Sequence, residues 1–472
     1  MSGGHPQRVI PRPSERRLVV GLPEADIEII ADSNGRPSRE PQRETSTPWF
    51  VLIGVLAIIG STAGFAFFGL VRGQDTAAGL AVIPLVGVAG YGVTRRWIST
   101  TQGDWLANLM FAGLGVRLFA ALPRLLGGAD APLYQVHGVR IASALRTLDF
   151  GVETGRAVPG TGTIRYLTGI VNVFTASNYV ATFIVFTVLA LVGQYAFLLG
   201  VRGALSSRQF RILAVLMMFS PSLVFWPSSI GKESPILFGA GLVVFGASRL
   251  YDKAWSGIPP VLFGIFAIGM VRPHVAIVFL ASVLIGLFAR QAHSKGRVAS
   301  HLVVLVVVIV GLMWAANASA ALFGLESLDG FNDVSAALDF AQERTSQDTS
   351  QFVVARVQSP ADYPLAIVTV LFRPFPWEAS GAAALLSALE SVALLALVLR
   401  AVPSGIAHLD GVLQRGQLLF AVTFTSIFIF LFSAIGNFGI LVRQRAQVIP
   451  FVLLLVAFGL AADRRRQAGT KS

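Results

Sequence analysis

The sequence predicts an all-α, polytopic integral membrane protein, and three observations carry that expectation. Hydrophobic residues fill 54% of the 472 positions and charged residues only 13%, about half the charged share of a soluble domain. Mean hydropathy is +0.69, so there is more apolar surface than a soluble core can hide, and lipid is the expected solvent. The apolar residues also fall in long runs rather than in the alternating pattern of half-buried strands.

A helix needs about 20 apolar residues to cross ~30 Å of hydrocarbon. Runs at 49–71, 77–94, 105–126, 179–200, 211–227, 234–250, 258–271, 274–290, 301–323, 380–400, 416–435 and 446–462 predict about twelve transmembrane helices. The pairs around Gly231 and Arg272 also suit broken or re-entrant helices. With both termini cytoplasmic, the inner loops collect Arg95 and Arg96; Arg202, Arg208 and Arg211; Arg249 and Lys253; Arg290, Lys295 and Arg297; and Arg400 and Arg415. Arg464, Arg465, Arg466 and Lys471 follow in the basic tail 463–472. This is the positive-inside pattern, so the net charge of +12 reports topology and not nucleic-acid binding.

Residues 1–48 are polar and proline-containing, lack the pattern of a cleavable signal peptide, and read as a disordered cytoplasmic tail. The transmembrane domain, 49–462, then has two long extracytoplasmic loops, 127–178 and 324–379. In the second, acidic loop, Asn332 or Asp333 suits the cap of a short helix over Val334–Arg344. There is no cysteine, which excludes thiolate chemistry and disulfides. The six histidines have no metal-ligand spacing, so no cofactor is expected, although a carboxylate-bound divalent cation is compatible with the composition. Arginine-rich, alanine-rich usage suggests a bacterial plasma (inner) membrane.

The outer turns hold the candidate chemistry. Lys232 and Glu233 stand where a helix begins, and a helix N-terminus beside a lysine favours anions. Arg272 and His274 flank Pro273 between two apolar runs. Arg373 lies among Phe372, Phe375 and Trp377, and Arg443 and Arg445 head the last run. Such residues also anchor helix ends at the interface. Positive charge outside opposes the topology rule, however, so four turns carrying it point to a shared anionic ligand. A polyprenyl phosphate, with its charged head and lipid tail, fits. The first loop supplies acid and base groups: Asp130, Tyr134 and His137, then Asp149, Glu153, Arg156 and Arg165. Two ionisable residues, Arg117 and Glu390, fall inside runs, where they suit either a structural pairing or a proton path.

Three stretches carry a family resemblance: Arg117–Gly138, with an Arg in a span followed by an Asp and a Tyr; Arg165–Gly169; and Ser220–Trp226 leading to Lys232 and Glu233. Together they resemble a GT-C type membrane glycosyltransferase over roughly half the chain. The resemblance implies transfer of a sugar from a polyprenyl-phosphate donor to a glycan or lipid acceptor outside the membrane. It gives Asp130 the role of general base, with Tyr134 beside it and donor phosphate held by residues drawn from Lys232, Arg272, Arg373 and Arg443. O-antigen-type polymerases or ligases acting on lipid diphosphates are the second expectation, resting on Arg272, Arg373, Arg443 and Arg445. A transporter or flippase is the third.

Overall fold

A computed structural model describes residues 48–72, 77–127, 130–291, 352, 356–379 and 381–469. Among them the chain is helical, with no strand. The helices are α1 (Pro48–Arg72), α2 (Ala77–Val93), α3 (Ser99–Gln102), α4 (Asp104–Gly127), α5 (Asp130–Arg146), α6 (Thr161–Phe174), α7 (Tyr179–Val201), α8 (Ser207–Phe219) and α9 (Pro221–Phe225). There follow α10 (Glu233–Tyr251), α11 (Ile258–Gly269), α12 (Pro273–Gln291), α13 (Tyr363–Phe372), α14 (Ala382–Ala407), α15 (Leu409–Leu413), α16 (Gly416–Phe432), α17 (Phe438–Arg445) and α18 (Ile449–Gly469).

Five of these helices, α1, α4, α7, α10 and α14, are long and apolar enough to cross a membrane. The bent pair α17–α18, with a 58° angle at its break, makes a sixth. The expectation of about twelve is therefore met only in part. Helix α11 has 12 residues, or about 18 Å of rise, and α16 has 17. The run at 211–227 is cut at Ser220–Pro221, where proline begins a new helix. The run at 301–323 and the expected helix over Val334–Arg344 lie outside the described residues. The first long loop is also not loop throughout, because α5 and α6 occupy much of it and pack on each other.

Helix α4 is central and packs on α1, α7 and α8, with 78% of its apolar window buried. The corresponding shares for α1 and α14 are 17% and 22%. Leu52, Leu56 and Ile59 on α1, and Leu385, Leu389 and Leu399 on α14, are exposed. Such continuous apolar surface suits lipid contact. Small residues set the closest helix approaches. A side chain at Gly241 would strike the Gly193 carbonyl across the α7–α10 crossing, and Gly64 sits on Leu122 of α4. The core centres on α16, where Phe420, Phe424, Phe428 and Phe432 recur every fourth residue. The Phe424 ring lies 4.3 Å from Phe279 of α12 and 4.4 Å from Phe451 of α18.

Arg117 and Glu390, the ionisable residues inside apolar runs, flank the helix break at Ser220 and do not pair with each other. Arg117 is 1% exposed. It donates to the Gly113 and Met218 carbonyls (2.9 and 3.2 Å) and to Gln194 Oε1. Gln194 in turn donates to the Leu223 carbonyl at 3.0 Å. On the other side of the break, Glu390 of α14 accepts from Ser220 Oγ (2.7 Å), the Ser222 N–H (2.9 Å) and Ser222 Oγ. A cation thus meets the C-terminal carbonyls of α8 and an anion meets the N-terminus of α9, as the helix dipoles favour. Glu390→Ala strips three donors of their acceptor. It should lower stability by about 1–3 kcal/mol, read as a lower unfolding temperature in detergent, whereas Glu390→Gln keeps an acceptor and should lose less.

Candidate functional site

Helix α10 starts from a buried turn that satisfies its own polar groups. Ser228 Oγ donates to the Val224 carbonyl and Ser234 Oγ to the Pro227 carbonyl, both at 2.6 Å. The turn delivers Lys232 at the helix cap and Glu233 in the first turn. A Cβ on Gly231 would lie 3.0 Å from Glu233 Oε2 and press on that carboxylate. Glu233 is 2% exposed. It accepts from Arg443 Nε at 2.7 Å, Arg443 Nη2 at 3.3 Å and Arg272 Nη2 at 3.2 Å.

Arg272 occupies the short break between α11 and α12, and its carbonyl accepts from Val275 and Ala276 at the start of α12. Arg443 comes from α17, whose start is capped by Asn437 Oδ1 accepting from the Ile440 N–H at 3.1 Å. From there Arg443 Nη1 donates to Asp130 Oδ2 at 2.7 Å. Asp130 opens α5 and is half exposed, while Tyr134, one turn on, is buried. Asp130, Arg443, Glu233 and Arg272 therefore form one continuous chain of ion pairs across four elements.

These residues surround a cavity of about 520 Å³, lined in part by Asp130, Tyr134, Lys232, Arg272 and Arg443. Arg156 and Arg165 line it too. The cations outnumber the carboxylates facing them. Arg272 is 6% exposed and its Nη1 has no partner. No hydrogen bond or ion pair reaches the Lys232 ammonium among the described residues. Burial, and then the Arg272 charge, bring the Lys232 pKa down to about 8. Burial, followed by the Asp130 charge, pushes the Tyr134 phenol up.

Three residues singled out from the sequence stand apart from this cavity. Arg445 is fully buried and donates to the Leu371 and Arg373 carbonyls (2.9 and 3.0 Å) and to Ser391 Oγ (2.8 Å), so it ties α17 to α13 and α14. Arg373 bonds Glu378 through Nε at 3.0 Å and lies over the Phe352 and Phe438 rings. His274 sits two residues beyond Arg272, its ring centroid 6.3 Å from that of Phe432. Conversely, Arg124 of α4 was not singled out, yet it supports the turn from behind. It donates to Ser229 Oγ at 3.3 Å and covers Trp226 and Phe225, each at 5.1 Å. Its only sequence signal is an arginine six residues before Asp130. A larger cavity of about 820 Å³ by α2, α4 and α7 has no carboxylate or histidine in its lining. The described residues hold no cluster of metal-ligating side chains.

The burial contrast predicts unequal couplings to Arg443. A double-mutant cycle with Glu233 should give about 3 kcal/mol or more, and one with half-exposed Asp130 about 0.2–1 kcal/mol. Sulfate, which keeps its charge throughout the range, is a suitable anion probe for the cavity. Lys232 is charged below pH 8 in the empty site and neutral above it. Sulfate binding should therefore be strongest below pH 8 and weaken by up to about tenfold per pH unit above it. Calorimetric titration of the purified protein reads this, and Lys232→Met should flatten the profile.

No protein-family model matches this chain, and no curated protein or solved structure matches it either, so function rests on the chemistry of this cavity.

Proposed function

We propose that the chain is a multi-pass plasma-membrane glycosyltransferase with its termini in the cytoplasm. It moves a sugar from a polyprenyl-phosphate-linked donor to a glycan or lipid acceptor on the extracytoplasmic side. The observation that carries this reading is a cavity at helix ends, lined by Asp130, where the Lys232 ammonium and Arg272 Nη1 have no hydrogen-bond partner among the described residues. A phosphate with a sugar attached supplies that partner and places the anomeric carbon near Asp130.

In the reaction, Asp130 takes the proton of the acceptor hydroxyl as its oxygen bonds to the anomeric carbon. The bond from that carbon to the phosphate oxygen breaks, and its electron pair stays on the polyprenyl phosphate, where Lys232 and Arg272 stabilise the charge. Arg443 orients Asp130 and is itself fixed by Glu233. Tyr134 lines the wall between. Exposed Leu133 on the cavity rim offers an apolar approach for the lipid tail.

The polymerase or ligase alternative rests on Arg272, Arg373, Arg443 and Arg445; Arg272 and Arg443 line the cavity, whereas Arg373 and Arg445 are held outside it by Glu378, Ser391 and backbone carbonyls. A transporter or flippase is the third reading. In a host lacking the protein, wild type should restore the missing glycan. Asp130→Asn, present in the membrane in equal amount, should fail to do so, with transfer reduced about 10²–10⁴-fold. Full restoration by Asp130→Asn would remove the base assignment, and an unchanged glycan profile in the deletion would remove the transferase reading.

A further inference from the structure

The cavity has a second positive centre, built on the stretch read from sequence as the first outer loop. Arg165 of α6 is 8% exposed; its Nη1 donates to the Thr154 carbonyl at 2.8 Å and its Nε has no partner. Arg156 lines the same space and its guanidinium has no hydrogen bond or ion pair among the described residues. Arg140 stands nearby, but its Nη2 donates to the Glu153 carbonyl at 2.6 Å.

The electrostatic neighbours separate the two centres. Lys232 is influenced by Arg272, Glu233, Arg443 and Asp130. Arg165 is influenced instead by Arg156, Tyr134 and Arg140, with no carboxylate among them. His137, beside Arg165, has its pKa lowered by burial and then by Arg165, Arg140 and Arg156. Tyr134 borders both groups, since it senses Asp130, Arg443, Glu233 and Arg272 and in turn influences Arg165.

Spacing along α5 separates the residues that border the two centres. Asp130, Tyr134 and His137 follow one another at helical intervals on one face of α5. Asp130 meets Arg443, whereas His137 lies by Arg165: a Cβ on Gly155 would be 3.1 Å from Arg165 Nη1 and 4.0 Å from His137 Cε1. Seven residues of helix rise is about 10 Å, too long for the two phosphorus atoms of one diphosphate and suited to two separate anionic groups.

We propose that Arg156 and Arg165 form a second anion subsite, taking a phosphate or carboxylate carried about 10 Å from the group held by Lys232 and Arg272. Resting on the transferase reading, this group belongs to the acceptor, which is thereby an anionic glycan or glycolipid. The Arg165 guanidinium holds one side of the anion from the buried wall, and Arg156 closes on it from the exposed side.

The test uses the full-length protein in nanodiscs of uncharged lipid. The probes are inorganic phosphate, inorganic pyrophosphate, hexane-1,6-diyl bisphosphate and 8-phosphonooctanoate, each titrated by calorimetry. The long bisphosphate should bind about 100-fold more tightly than phosphate by bridging both centres, and pyrophosphate should gain far less. Arg156→Gln removes no contact within the fold and should bring the bisphosphate down to the phosphate level while single-phosphate binding at Lys232 persists. An equal gain for 8-phosphonooctanoate assigns the second group as a carboxylate; a gain for the bisphosphate alone assigns a phosphate. Wild-type bisphosphate affinity in both Arg156→Gln and Arg165→Gln would overturn the second subsite, as would an equal gain for pyrophosphate. Phosphate binding unchanged by Lys232→Gln would instead count against the first subsite and the transferase reading.

Discussion

One buried carboxylate, Glu233, organises the end of the molecule that carries the charged cavity. Removing a carboxylate from water costs several kcal/mol, and that cost is offset only by well-placed positive charge and hydrogen bonds. Glu233 has both, from Arg272 and Arg443, and it lies in the first turn of α10 where the helix dipole favours an anion. Since Arg272 belongs to the α11–α12 break and Arg443 to α17, the carboxylate fixes three discontinuities of the chain relative to one another. Arg443 then has one nitrogen left for Asp130, and through it α5 joins the same network.

A parallel arrangement operates deeper in the helices. At the break between α8 and α9, Arg117 takes the carbonyl end and Glu390 the amide end. Gln194 bonds both Arg117 and the Leu223 carbonyl, so the break is held from α4, α7 and α14 together. Such polar groups are tolerable away from water only when hydrogen-bonded. The same break leads directly into the Trp226–Lys232 turn, so Arg117 and Glu390 help to place the cavity without lining it.

Residues 127–178 show where sequence reading reached and where it stopped. Asp130 and Tyr134 were legible because an acidic residue and a phenol directly follow a long apolar run. The helix that carries them was not, because α5, like α6 after it, interrupts its apolar residues with polar ones that mask the helical spacing. Arg373 and Arg445 show the converse, since neither lines the cavity. Each resembles Arg272 or Arg443 in sequence, an arginine at a turn between apolar runs. Their roles differ because Arg373 has Glu378 five residues away, and Arg445 points into the helix packing where carbonyl groups await it.

The sequence alone determined the helical, lipid-compatible character of the chain, because composition and uninterrupted apolar runs act through bulk transfer free energy and need no knowledge of neighbours. It also marked Asp130, Lys232, Glu233, Arg272 and Arg443 as chemistry-bearing, since charges beside apolar runs are costly and conspicuous. Tertiary structure decided which of the marked charges meet. Residues separated by up to 313 positions, such as Asp130 and Arg443, pair only because α5, α10, the α11–α12 break and α17 end side by side. Helix ends bring unsatisfied backbone groups and dipoles with them, and a cavity formed where several ends converge is a property of packing that no single segment encodes.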